Sequence, residues 1–315
     1  MSVAEPVAPA PADTAAQGRS VGDERGAGWF VRITVLAIVI LWLIPAMGVL
    51  ITSFRPEALV DSTGWWTVFA NPFKAGQWTL ENYSLALDAG GLGNTFLNSL
   101  AVALPATVIP IAIAAFAAYA FSWMDFRGRY VMFVAVVALL VVPLQMALIP
   151  ILRLYNNGAI IGGRYIFPDL DLVGTFLGVW LAHTAFGLPL AVYLLRNYIG
   201  SLPSSIIESA KIDGADHFTI FWRLIIPLSV PALAAFAIFQ FLWVWNDLLV
   251  AYVFLGGTQE NRVLTIALSN LVGSRGENWH LLTAAAFISM SLPLIVFFTL
   301  QKYFVRGLTA GAVKG

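Results

Sequence analysis

The residues able to do chemistry are few and gather in two places. Between Pro203 and Pro231 lie Glu208, Lys211, Asp213, Asp216, His217 and Arg223. Further on, Gln240, Asn246 and Asp247 stand among Trp243, Trp245 and apolar residues. Neither group has the make-up of a catalytic centre. The histidines, His183, His217 and His280, are far apart and show no ligand spacing, and the chain has no cysteine. That removes disulfides, thiolate metal sites and a Cys nucleophile. No G-x-x-x-x-G-K-[ST] phosphate loop occurs, so any nucleotide chemistry must reside on another polypeptide. No acid–base constellation is visible, so no enzyme is expected, and no cofactor or metal on this chain.

What surrounds these groups gives them meaning. The 315 residues are 59% hydrophobic and 11% charged, whereas a soluble domain carries roughly 25% charged residues. That balance predicts an all-α polytopic membrane protein with a lipid bilayer as partner. The formal net charge is zero, so nucleic acid is not expected. A span needs about 20 apolar residues. Stretches 29–53, 94–123, 131–151, 172–195, 228–254 and 280–303 qualify, giving six spans. Residues 1–28, rich in Ala, Pro and Gly, read as a disordered tail and not as a signal peptide. Residues 54–93 form a polar loop in which Trp65, Trp66 and Trp78 suit an interfacial aromatic belt. Residues 152–171 read as a loop with one short helix, and 255–279 as a polar, glycine-containing loop.

Six spans put both termini on one side, and eleven of the 17 Lys and Arg residues fall on that side. The positive-inside rule then makes both termini cytoplasmic, together with the charged stretch 197–227. A charged group in hydrocarbon costs a few kcal/mol, about 2.5 or more, so that stretch lies in water or against a partner. Ser205 and Glu208 have capping-box spacing, predicting a helix start near Ser205. Gly214 suits the helix end, and Asp216 suits the cap of a second short helix running toward Pro227. On these grounds alone the unit reads equally well as an ordinary capped loop.

The second group divides in the same way. Gln240, Trp243 and Asp247 are spaced i, i+3, i+7 and share a helix face. Aromatic faces beside hydrogen-bonding groups suit a sugar pathway, with Asn246 alongside. Helix–helix glue is the competing reading, and structure is favoured for Asn98. His183 reads as a satisfied packing group.

The stretch IIESAKIDGADHFTIFWRLIIPLSVPAL resembles the cytoplasmic motif of binding-protein-dependent ABC importers, through Glu208, Ala210, Asp213, Gly214, Ala215 and Pro227. Ser209 replaces one small residue of the pattern by another. SFRPE at 53–57, NTFLNSL at 94–100, AAYAFSWMDFRGR at 117–129, LPLAVYLLRNYIGSLP at 188–203 and WND at 245–247 extend the likeness over residues 29–315. The chain is similar to the maltose-type sugar permeases without extra N-terminal spans, and GWW at 64–66 is similar to the α-glucoside branch.

The resemblance implies a permease domain over 29–304, a cytoplasmic coupling loop over 197–227 and a cytoplasmic tail over 305–315. It implies a bacterial cytoplasmic-membrane protein that imports an oligosaccharide, and the likeness to the α-glucoside branch implies an α-glucoside such as maltose or trehalose. The implied partners are a second related permease, two copies of an ATPase that bind ATP and Mg, and an extracytoplasmic sugar-binding protein. Glu208, Ser209, Ala210, Asp213, Gly214, Ala215 and Pro227 would then couple the permease to the ATPase. A stand-alone secondary transporter or channel, or an ABC permease for another solute, is the alternative.

Overall fold

The computed structural model describes residues 28–89, 91–271 and 278–310; for 89, 161 and 303–310 it describes the backbone alone. The tail expected over 1–28 lies outside the described residues but for Gly28, as do residues 311–315. The chain divides into two units, residues 1–47 and 48–315. In the first, the run from Trp29 to Met47 belongs to helix α1 (Trp29–Ser53), and its side chains are all exposed.

The second unit holds the end of α1 and the remaining elements. They are α2 (Glu57–Ser62), a 3-10 helix (Trp65–Ala70), α3 (Glu81–Ala89), α4 (Leu92–Trp123), α5 (Arg129–Ala138), a 3-10 turn (Leu139–Val141) and α6 (Leu144–Asn157). A hairpin β1 (Ala159–Ile161) and β2 (Arg164–Phe167) precedes α7 (Phe176–Ile199), α8 (Ser204–Ile212), α9 (His217–Ile220) and a π-helical turn (Phe221–Ile225). Then come α10 (Ile226–Trp245), α11 (Leu249–Leu255), α12 (Leu264–Leu271) and α13 (Trp279–Ala310). Among the described residues five helical stretches are long and apolar enough to cross a membrane: 29–53, 92–123, 176–199, 217–245 and 279–302. A sixth crossing exists if α5 and α6, bent by 106°, count as one.

That bend corrects the continuous span expected over 131–151. Val142 precedes Pro143 and is extended (φ −74°, ψ 116°), the conformation toward which the proline ring biases the residue before it by disfavouring the helical region. Three other expectations change. Within 152–171, expected as a loop with one short helix, residues to Asn157 continue α6 and residues 159–167 form an antiparallel hairpin turning at Gly162 and Gly163, both at positive φ, the conformation of a two-residue type I′ turn. The loop 255–279 contains α12; its residues 272–277 lie outside the described residues. The fifth crossing ends at Trp245, well before Phe254, and α13 runs helically through Ala310 where a small-residue tail was expected from Val305.

In the bundle α4 and α7 run in the same direction and α10 runs against them. Small residues allow the close approach: Ala103, Ala106, Ala114, Ala115 and Ala118 on α4, and Ala182 and Ala191 on α7, are all buried. A Cβ at Gly187 would lie 2.7 Å from the Gln240 side chain. Three prolines inside helices, Pro105 and Pro110 of α4 and Pro293 of α13, supply polar seams. Proline has no N–H, so each one frees the carbonyl four residues earlier. Pro105 frees Ala101, whose oxygen accepts from Trp180 Nε1 at 3.0 Å. Pro110 frees Ala106, which accepts from Gln240 Nε2 at 3.2 Å. Pro293 frees Ser289, which accepts from Trp245 Nε1 at 3.1 Å. Each defect in one helix is thus the docking point for a side chain of another.

The core has two parts. One joins the first half of α4 and α7 to the end of α10, α11, α12 and Ala284–Ala285 of α13. The other joins Ala114–Phe121, Ala191–Ile199, Ile207 and Ile220–Ile225 at the opposite end. Outside it, Arg55 is almost wholly buried and donates to the Thr63 carbonyl at 3.1 Å, while Asn82 donates to the Ser53 and Arg55 carbonyls. These bonds fold residues 55–82 back against the end of α1 within the second unit.

If Gln240 serves the carbonyl that Pro110 exposes, the two positions are energetically coupled. Gln240→Leu is expected to cost about 1 kcal/mol in the native background and clearly less in a Pro110→Ala background. Thermal unfolding in detergent of both single variants and the double variant measures this; equal losses in the two backgrounds would refute the coupling.

Candidate functional site

The charged stretch folds into two short helices around a glycine turn. Pro203 occupies the N-cap of α8, and no side chain caps it. Ser205 therefore sits inside the first turn, and the capping box expected between Ser205 and Glu208 does not form. The end of the helix is tightly specified. Gly214 has φ +81°, its N–H bonds the Lys211 carbonyl at 3.0 Å, and the Ala215 N–H bonds the Ala210 carbonyl at 2.9 Å. This pair of bonds is a Schellman motif with Gly214 at C′, Ala210 at C3 and Ala215 at C″. The motif normally carries an apolar contact between C3 and C″, and here both alanines pack on the second core. The Ala-x-x-x-Gly-Ala spacing is thus a helix-stop signal with its own hydrophobic clip.

Asp216 then starts α9, its Oδ1 accepting from the Thr219 N–H at 2.8 Å. The bonds from Thr219 hold the Asp216 carboxyl below the usual carboxylate range. This cap is the one expected from the sequence. Ile207 is 2% exposed and wedges α8 into the second core. On the other side Glu208, Ser209, Lys211 and Asp213 face outward, as do Ile212 (85% exposed) and Phe218 (70% exposed). Pro227 is exposed in the first turn of α10. The unit is anchored along one side and offers an outward surface with both charge and large apolar groups.

The second group of polar residues does not form one site. Gln240 is fully buried and spends its amide N–H on Ala106. Asn246 Nδ2 bonds back to the Leu242 carbonyl at 2.7 Å and ends α10. Asp247 lies beyond the helix, so the shared i, i+3, i+7 face is broken after Trp245. Its Oδ2 accepts from the Ala251 N–H at 2.9 Å and its carbonyl accepts from Thr265 Oγ1 at 2.7 Å. Trp243 alone of the four lines a cavity of about 500 Å³, with Leu140, Pro143, Phe186 and Pro189 among its walls. Asn98 is structural, donating to the Glu260 and Arg262 carbonyls.

His183 was expected to be satisfied, and it is not. Both ring nitrogens are buried without a hydrogen-bond partner. Nε2 lies 3.8 Å from Asp247 Oδ2, and Trp243 meets the ring edge-on at 5.5 Å. Sequence spacing carried no sign of this pairing, because 64 positions and a helix break separate the two residues. Among the described residues no group of His, Asp and Glu could hold a metal ion.

Comparison with known proteins agrees with this architecture. Residues 110–310 match the family described as binding-protein-dependent transport system inner membrane component, and the chain belongs to that family. It is therefore a membrane component of a transport system that works with a binding protein. Among its relatives, the osmoprotective compounds uptake permease protein GgtD of Synechocystis sp. is 60% identical, covering 90% of this chain and 91% of that protein. The alpha-glucoside transport system permease protein AglG of Rhizobium meliloti is 45% identical, covering 91% and 97%. The crystal structure of a bacterial ABC transporter that imports alginate has the same fold, with TM-score 0.60 and 14% identity over 88% of this chain and 96% of that one.

Gly214→Ala places a Cβ in a left-handed conformation that costs an L-residue roughly 1–2 kcal/mol. Nothing lies within 4 Å of that Cβ, so the backbone is the sole cause. Amide exchange across 204–216 is expected to rise about tenfold for Gly214→Ala and less for Gly214→Asn, since Asn tolerates this region.

Proposed function

We propose that the chain is one of two membrane-spanning subunits of an ATP-driven sugar importer in a bacterial cytoplasmic membrane. It pairs with a second, related permease. Two copies of a cytoplasmic ATPase bind ATP and Mg, and an extracytoplasmic binding protein delivers the sugar. The observation that carries this reading is the α8–Gly214–α9 unit, anchored by Ile207 and presenting Glu208, Ile212, Asp213 and Phe218 outward. Such a surface fits a cleft on the ATPase. Ser209 shares the exposed side, Ala210, Gly214 and Ala215 fix the unit's shape, and Pro227 starts the helix it drives. Movement of the ATPases displaces the unit and rocks the bundle between states whose relative energies the bound sugar and nucleotide set. In this reading residues 197–227 are the cytoplasmic coupling loop, and both termini, including 305–315, share its side.

The substrate class we assign is an α-glucoside such as maltose or trehalose, on the strength of the relative named for alpha-glucoside transport. A second reading, uptake of a small osmoprotective solute, is favoured by the 60% identical relative named for that role. Trp243, the one candidate pathway residue on the large cavity, is the residue we retain for stacking on a sugar ring. Gln240 and Asn246 are committed to backbone carbonyls.

In the reconstituted complex with its binding protein, α-glucosides are expected to raise ATP hydrolysis several-fold above small osmolytes. Gly214→Pro, and Glu208→Ala combined with Asp213→Ala, are expected to abolish that stimulation and sugar uptake while membrane insertion stays intact. Wild-type uptake by either variant would overturn the coupling assignment. Stimulation by osmolytes alone would select the second substrate reading.

A further inference from the structure

α10 follows the α8–α9 unit directly in the chain, but α4 does not. The covalent route to α10 passes through the π-helical turn Phe221–Ile225, where the backbone is wider than an α-helix. His217 lies before that turn, as the first residue of α9. Its Nδ1 is 2.8 Å from the Tyr119 hydroxyl of α4, a residue only 4% exposed. The Tyr119 ring also meets His217 edge-on at 5.9 Å and Phe221 at 5.5 Å. One turn earlier on α4, Phe116 stacks on Phe221 at 4.5 Å with the planes 19° apart.

We propose that Tyr119 is a positioning residue for coupling. Its hydroxyl fixes His217, so that displacement of the α8–α9 unit is passed sideways into α4 ahead of the π turn. Apolar contacts such as Ile207 resist separation but permit sliding, because they are non-directional. A hydrogen bond of 2.8 Å is directional and fixes rotation as well. α4 is the right recipient. Its Ala101 and Ala106 carbonyls are bonded to α7 and α10, so its movement reaches the whole bundle. The role is specific to the tyrosine hydroxyl, since a phenylalanine would keep the burial and the ring contacts. This inference rests on the import reading, and its test separates the two.

Tyr119→Phe, His217→Ala, His217→Asn and the Tyr119→Phe/His217→Ala pair would be compared in the reconstituted importer. Loss of one hydrogen bond is worth about 1 kcal/mol, so the sugar-stimulated part of ATP hydrolysis is expected to fall about fivefold in Tyr119→Phe. ATP consumed per sugar imported should rise. His217→Ala should match it, the double variant should be no worse than either single one, and His217→Asn, which keeps a polar atom near Nδ1, should recover most of the loss. Independently of sugar, amide exchange across 204–217 in the purified chain should rise about fivefold in Tyr119→Phe. Unchanged exchange, or additive losses in the double variant, would overturn the role of Tyr119. A wild-type complex that no sugar stimulates would sink the import reading instead, and the exchange measurement would still decide the Tyr119 contact.

Discussion

Backbone carbonyls freed inside apolar helices are the constraint on which the bundle depends. Hydrocarbon offers no hydrogen-bond partner, so a carbonyl stripped of its helical N–H must find one within the protein. Pro105, Pro110 and Pro293 create three such carbonyls, and Trp180, Gln240 and Trp245 answer them from other helices. Each bond fixes both the distance and the register of a helix pair. Alanine and glycine surfaces then let the backbones close to contact, which apolar packing alone would leave free to slide.

This seam explains why the polar residues of α10 are what they are. Gln240 and Trp245 face inward because they serve α4 and α13. Asn246 and Asp247 stop α10 and begin α11 through bonds to backbone. Asp247 brings one unneutralised consequence, the approach to His183, whose ring stays without a hydrogen bond. Trp243 is the residue of the set left over for the cavity. A run that resembles a binding face in sequence is largely an assembly face in the folded chain.

At the other end the same economy appears in α8 and α9. The small residues at 210 and 215 and the glycine at 214 meet the demands of one Schellman stop packed on the core. The charged and large residues between them are thereby released to the outside. Ile207 and Tyr119 hold the unit to the bundle by two kinds of contact, one apolar and one directional.

The sequence by itself determined the class of molecule, because a span is a property of local composition: long apolar runs and excluded charges need no partner to be recognised. It also determined the glycine stop at 214 and the Asp216 cap, since both are local backbone chemistry. It misjudged the Ser205 cap, where Pro203 had already taken the position, and the 131–151 span, which Pro143 bends. Tertiary structure alone decided which side chain answers each proline, that the amide nitrogens of Gln240 and Asn246 bond backbone carbonyls, and that His183 meets Asp247 and Tyr119 meets His217. Those pairs lie 64 and 98 positions apart along the chain, and only the crossing of helices, set by packing and by freed carbonyls, brings them within reach.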